Sequence, residues 1–306
     1  MKSNMWKSTI REIKQSFGRF MAIFAITALG VSLFSGLKIL QPAMVKTTDE
    51  YYKEKAFYNY RLMSTLGYEK EDVEFFEKQE GVRSVEGGVS FDILCSVGEE
   101  SPKVVKVYNL PGQINSLELL YGRLPENAQE CIVDSSIYGE ESIGKTVKIS
   151  VDNSEDDLEK FVYKEFTITG VAQSPNYIQF ERGNTSLGNG KITSFLYVPM
   201  EVFDVDYFTE ILVKFHEDYV IYSDEYEAYM DEKESVWEAL AQTAANQRYD
   251  RVLKEANEEL ADAKQEFEEE KANAEKELED ARIELSDAFT ELSDGEKELA
   301  DAKQEL

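Results

Sequence analysis

The stretch "QSFGRFMAIFAITALGVSLFSGLKIL", Gln15 to Leu40, decides what kind of fold this chain has. Between Phe20 and Leu37 lie 18 residues without a charge. At about 1.5 Å per residue they extend about 27 Å, close to a hydrocarbon core of about 30 Å. Lys38 can snorkel, which lets Ile39 and Leu40 extend the span. A cleavable signal has a short basic region, a shorter apolar region and a small-x-small cleavage site. Here the basic flank runs to Arg19, and "KILQPAMVKTTDEYY" offers no Ala-x-Ala-like site. The reading is an uncleaved transmembrane helix over residues 17–40.

Charge gives the orientation. Lys2, Lys7, Arg11, Lys14 and Arg19 precede the span against one acid, Glu12. The positive-inside bias puts the N-terminus in the cytoplasm and everything after about residue 41 outside. Within residues 1–16, Trp6, Ile10 and Ile13, continued by Phe17, recur at helical spacing, with Lys7, Arg11 and Lys14 on another face. That predicts a basic amphipathic helix in the inner interface; a plain basic flank is the other reading. Inside the span, Ala28, Ser32 and Gly36 form a small-residue stripe that lets another helix approach closely. No second long apolar run is present, so partner spans are expected from elsewhere.

The 306 residues carry a formal net charge of −28, with a pI near 4.4. That argues against a nucleic-acid partner, which calls for a basic surface. The charge is uneven: residues 251–306 hold 20 acids against 8 Lys or Arg. The two cysteines, Cys95 and Cys131, sit in strand-like runs where a disulfide is permitted and two buried thiols are equally compatible. Their spacing is not that of a metal site.

From about Asp49 to Phe215 the chain reads as mixed α/β. "YNYRLMSTLG" (59–67 with Tyr58) predicts a strand and turn, and "YEKEDVEFFEKQEGV" a helix stopped at Gly81. "SVEGGVSFDILCSVG" and "PKVVKVYNLP" are β-rich. "INSLELLYGRLP" suggests a short helix and turn. "QECIVDSSIYG" reads as a buried strand leading into a short helix. "IGKTVKISVDN" alternates Val147, Ile149 and Val151 as a half-buried strand. "DNSEDDLEKF" reads as a turn, and "EFTITGVAQSP", "SFLYVPMEVFD" and "TEILVKF" complete the strands.

The order "YGRLPENAQECIVDSSIYGEESIGKTVKISV", "FTITGVAQSPNYI", "SFLYVPMEVF", "TEILVKF" resembles the extracytoplasmic core domain of MacB/FtsX-like ABC transporter permeases. "RLMSTLGYEKEDVEFFEKQEGVRSVEG" resembles the start of that domain. The resemblance is carried by Gly122-Arg123-Leu124-Pro125, Ile143-Gly144-Lys145 and Ile168-Thr169-Gly170-Val171, in that order. It implies a permease subunit that pairs with a separate cytoplasmic ABC ATPase and with a second permease copy or permease partner in the lipid membrane.

No motif specifies an active site. "GNTSLGNGKIT" (Gly183 to Thr193) departs from a phosphate loop, since Thr185 stands where Gly is needed and Ile192 replaces the hydroxyl residue. It reads as a hairpin-like loop. "DNSEDD" lacks the Gly and terminal Glu of a calcium loop. His216 is the one histidine and reads as a surface or strand-end residue. Glu201 and Asp204 would serve a glycosidase only across a defined cleft. No catalytic, cofactor or metal residue is assigned, and the chain is not read as an enzyme.

The last segment is the clearest repeat. Leu278, Leu285, Leu292, Leu299 and Leu306 are seven apart, with Ala281, Ala288, Gly295 and Ala302 three residues after the first four. Leu253, Ala256, Leu260, Ala263 and Phe267 keep the same rhythm upstream, followed by a stutter towards Lys271. The seam calls for a partner helix, and the chain stops in mid-heptad, so it is expected to be the N-terminal part of something longer.

The expected fold is therefore a membrane-anchored α+β chain. It comprises a basic interfacial helix (1–16), one transmembrane helix (17–40), a MacB-like mixed α/β extracytoplasmic core domain (41–223) and a long, truncated α-helical coiled coil (224–306). The expected function is that of an FtsX/MacB-like permease subunit in the plasma membrane, coupling the ATPase to export or to mechanical transmission. A signal-anchored surface spacer with a coiled-coil stalk is the alternative.

Overall fold

The computed structural model describes residues 2–305. Two helices come first, α1 (Lys2–Gln15) and α2 (Phe17–Glu54), broken at Ser16. α2 is long and apolar enough to cross a membrane. It does not stop at Leu40 but runs on through Pro42 to Glu54. The strands and helices that follow are β1 (Tyr60–Tyr68), α3 (Lys70–Glu77), β2 (Val82–Gly88), β3 (Ser90–Val97), β4 (Lys103–Asn109), β5 (Glu118–Gly122), β6 (Glu130–Asp134), β7 (Thr146–Ile149), α4 (Glu155–Glu159), β8 (Glu165–Gln173), β9 (Ser194–Val198), β10 (Phe208–Phe215) and α5 (Asp224–Glu305). The chain divides into two units, one through Ala244 and one from Ala245 onward.

The first unit holds two sheets. β8, β6, β9, β4, β3 and β7 pair in that order, and β7 pairs back onto β8, closing a six-stranded barrel. Side chains alternate across a strand, so period-2 apolar residues fill the interior: Ile93, Cys95 and Val97; Val105 and Val107; Cys131 and Val133; Val147 and Ile149; Leu196 and Val198. On β8 the phase shifts from Phe166 and Ile168 to Val171, where the register with β6 slips. Cys95 and Cys131 are free thiols inside this core, and burial pushes the Cys95 thiol up to about 12. The second sheet, β1-β10-β2, is antiparallel. Ile211, Val213 and Phe215 of β10 pack with Phe76 of α3 and with Trp237 and Ala244 of α5.

The residues that carried the family resemblance converge on β8. Gly122 has φ +78, and a Cβ there would lie 2.1 Å from the Thr169 carbonyl oxygen; a Cβ at Gly170 would lie 2.6 Å from the Arg123 carbonyl. The two glycines therefore let β5 and β8 approach closely. Arg123 then grips Glu130 with both nitrogens, at 2.7 and 2.6 Å. Gly144 donates its N–H to the Ile168 carbonyl at 2.8 Å.

Four local expectations change. Residues 118–122 form β5 rather than a short helix, because their backbone pairs with β8 while Leu119, Leu120 and Tyr121 stay exposed. "DNSEDD" holds a helical turn, α4, since the Ser154 hydroxyl accepts from the Asp157 N–H at 3.2 Å and three acids occupy the first turn. Val151 lies past the end of β7 and is 87% exposed, because the strand stops at Ile149. β6 leads into a turn, with a 3-10 turn at Glu140–Ser142 in place of an α-helix.

The second unit is helical throughout its described residues. Its apolar seam is exposed at Leu253, Leu260, Leu278, Leu285, Leu292 and Leu299. Leu306 lies outside the described residues.

Gly122→Ala and Gly170→Ala should each lower stability by about 2–4 kcal/mol, from overpacking and, at Gly122, left-handed strain. Gly98→Ala, at φ +60 with nothing within 4 Å, should lose only about 1 kcal/mol. Urea midpoints of the full chain in detergent micelles check this; equal losses at all three positions would remove the close-approach argument.

Candidate functional site: the junction of α2 with the β-rich lobes

β1 and β10 are antiparallel neighbours, with Tyr60 opposite Val213. β1 therefore begins where β10 ends. α2 leads into β1 and β10 leads into α5, so the end of α2 and the start of α5 meet at one end of one sheet. The side chains there tie them together. Asp49 of α2 is buried; it accepts from the Ile221 N–H at 3.1 Å and pairs with Lys53 at 3.0 Å. Lys53 also donates to the Asp218 carbonyl at 3.3 Å. Asn59 accepts from the Phe215 N–H at 2.9 Å and donates to Glu217, which Lys214 also holds at 3.1 Å. Phe57 stacks between Tyr52 and Tyr58, with ring centres 4.2 and 4.3 Å apart. These groups border a cavity of about 260 Å³.

A second tie runs to the barrel. The Lys55 and Ala56 carbonyls accept from the Ser116 and Asn115 N–H groups at 2.9 and 3.1 Å. Residues 112–114 ahead of them are held from the other sheet, where the Glu86 carboxylate of β2 accepts from the N–H groups of Gly112, Gln113 and Ile114. Three non-glycine residues have positive φ among the described residues: Ala56 (50°), Asn115 (64°) and Tyr222 (61°). All three lie in this junction. Left-handed backbone costs an L-residue about 1–2 kcal/mol and persists where the surroundings impose it, which is the pattern of functional hinges. At the start of α5 the Ser223 hydroxyl accepts from the Tyr226 N–H, and Trp237 stacks on Phe76 at 5.7 Å and meets Phe215 edge-on at 5.1 Å. The start of α5 is thereby packed onto the sheet.

The residues weighed for chemistry lie elsewhere. Gly183 to Thr193 forms a tight hairpin: Asn184 bridges Lys191, and the Ile192 N–H donates to the Gly183 carbonyl at 3.0 Å. His216 is exposed just past the end of β10, its N–H donating to the Gly81 carbonyl. Among the described residues, no three His, Cys, Asp or Glu side chains converge as a metal cluster. The arrangement at the junction ties the end of α2 both to the linker before β5 and to the segment that leads into α5.

No protein-family model matches the chain, and no curated protein does. Among solved structures, the chain is similar to the extracellular domain of the noncanonic ABC-type transporter YknZ from Gram-positive bacteria, at 12% identity and a TM-score of 0.35, over 56% of this chain and 88% of that one. It is also similar to the periplasmic region of MacB from Actinobacillus actinomycetemcomitans, at 18% identity and a TM-score of 0.31, over 57% of this chain and 75% of that one.

Ala56→Gly should stabilise the chain by about 1 kcal/mol, the reverse of the usual effect of glycine, because it releases left-handed strain. Asp49→Ala removes a charged acceptor from the Ile221 N–H. At about 1.5–3 kcal/mol, exchange of that amide should speed up about 10- to 100-fold. Hydrogen exchange read by mass spectrometry over residues 215–223 checks this, and unchanged protection would dissolve the proposed tie.

Proposed function

We propose that this chain belongs to an FtsX/MacB-like ABC transporter permease subunit. In this reading α1 lies at the cytoplasmic interface, the first part of α2 spans the plasma membrane, and the barrel, its companion sheet and α5 are extracytoplasmic. A separate cytoplasmic ATPase drives a permease dimer, and this chain carries that motion outward for export or for mechanical action on an external partner. The chain itself takes no catalytic role. Its exposed Leu/Ala seam is one strand of a coiled coil whose partner is a less acidic helix. Two copies of residues 251–306, each with 20 acids against 8 bases, would repel one another within a Debye length of about 8 Å.

One observation carries the reading: α2 does not end in a loose linker. It continues as one helix to Glu54 and is tied there to the Ile221 and Asn115 segments. A plain anchor needs no such coupling, whereas a transmitter does. The sequence resemblance at Gly122–Pro125, Ile143–Lys145 and Ile168–Val171 supports the same family.

The test begins with topology. In a Cys95→Ala, Cys131→Ala background, a cysteine replacing Val151 should react with a membrane-impermeant thiol reagent on whole cells. One replacing Ser8 should react only after permeabilisation. The reverse pattern would overturn the orientation. Sedimentation equilibrium of a 224–306 peptide should give a monomer mass; a stable homodimer would favour the anchored spacer.

A further inference from the structure

A small cavity of about 30 Å³ lies where the three-stranded sheet, the barrel and the linker before β5 meet. That is room enough for a single small guest such as one water molecule. Seven oxygen-bearing side chains reach it: Glu86 and Glu210 from the sheet, Tyr108, Asn109 and Tyr197 from the barrel, Asn176 from the loop after β8, and Asn115 from the linker; Asn109 Oδ1 is already taken by the Val89 N–H. Two of these oxygens, Asn115 Oδ1 and Asn176 Oδ1, are buried and accept from no described residue. Asn115 is only 2% exposed. The Asn176 amide is oriented by its own Nδ2, which donates to the Tyr197 hydroxyl at 3.4 Å.

Several surrounding polar groups already pair with one another. The Tyr108 hydroxyl shares its hydrogen bond with Tyr177 at 2.7 Å, and Tyr197 with Ser174 at 2.8 Å. The Arg61 Nε donates to Glu210. Glu86 already accepts from the N–H groups of Gly112, Gln113 and Ile114, and Glu210 from Arg61, so the acceptors left without a donor are Asn115 Oδ1 and Asn176 Oδ1, set beside two carboxylates. Buried oxygens next to carboxylates are well satisfied by a positive guest.

We propose that this cavity binds one hard cation of the sodium or calcium class, held by Asn115 Oδ1, Asn176 Oδ1 and the flanking carboxylates. The oxygen-only lining disfavours softer metals, which prefer nitrogen or sulfur, and Mg²⁺ retains waters that the volume does not admit. Asn115 is also the strained residue whose N–H holds the Ala56 carbonyl at the end of α2. The bound ion therefore pins the linker to both sheets and stiffens the α2 junction. The inference rests on this geometry and not on the permease reading.

The test uses the full chain in detergent micelles after chelation, with thermal midpoints followed against CaCl₂, NaCl and, at matched ionic strength, choline chloride. Either Ca²⁺ or Na⁺ should raise the midpoint saturably beyond the choline control, and which one does so identifies the ion. Asn115→Gly suits the left-handed backbone and removes one ligand; it should weaken the apparent affinity at least tenfold. Asn176→Asp keeps an oxygen and adds charge, and should tighten binding. A wild-type response equal to choline would mean that the cavity holds only water and would overturn the proposal. So would an undiminished response in Asn115→Gly. Should Asn115→Gly not fold, unchanged affinity in Asn176→Asp overturns it equally.

Discussion

The antiparallel pairing of β1 with β10 is the constraint on which the rest depends. It joins a strand at the start of the domain to one at its end, with Tyr60 opposite Val213. Antiparallel neighbours begin and end at opposite points, so the element entering β1 and the element leaving β10 must meet. Those elements are α2 and α5. The ties between α2 with its exit turn and the segment around the end of β10 follow from this one pairing: Asp49 to Ile221, Asn59 to Phe215, Lys53 to Asp218. The hydrophobic face of β10 then buries Phe76 and Trp237, which packs the start of α5 against the sheet.

The barrel adds a second centre, β8. It pairs with β5, β6 and β7, and the resemblance-bearing glycines sit on it (Gly170), at the end of β5 (Gly122) and just before β7 (Gly144). Gly122 and Gly170 are needed because two backbones approach to a distance that a Cβ would fill. The Arg123–Glu130 clamp then holds the turn between them, and the guanidinium draws the Glu130 carboxyl down to about 2. The clamp is fully formed above the ordinary carboxylate range and is lost only as pH falls through that depressed value.

Much of the fold is legible in the sequence because its signals are local. The apolar run of α2, the alternation of Val105 and Val107 or Leu196 and Val198, and the helix ending before Gly81 all follow from periodicity or stop signals. β5 was not legible: Leu119, Leu120 and Tyr121 look like helix, and only pairing with β8 makes them a strand. The α4 turn had a legible cap, Ser154 with Asp157, hidden by reading the acids as solvated turn residues. The junction could not be read at all. Asp49 and Ile221 are 172 positions apart, and neither residue type announces a tie. Left-handed Ala56 and Tyr222 likewise carry no local signal, since both residue types avoid that conformation.

The junction sets backbone strain against side-chain and backbone ties. Left-handed Ala56 and Tyr222 cost about 1–2 kcal/mol each, while Asn115 adopts that conformation more readily. Opposing them are the charged acceptor at Asp49, at about 1.5–3 kcal/mol, and the two backbone bonds from Asn115 and Ser116, at about 0.5–1.5 kcal/mol each. The bonds that Asn59 and Lys53 make to Phe215 and Asp218 add to the same side. The strained backbone therefore persists because its surroundings impose it, and the sheet that imposes it is fixed in turn by the β10 face buried against Trp237 and Phe76.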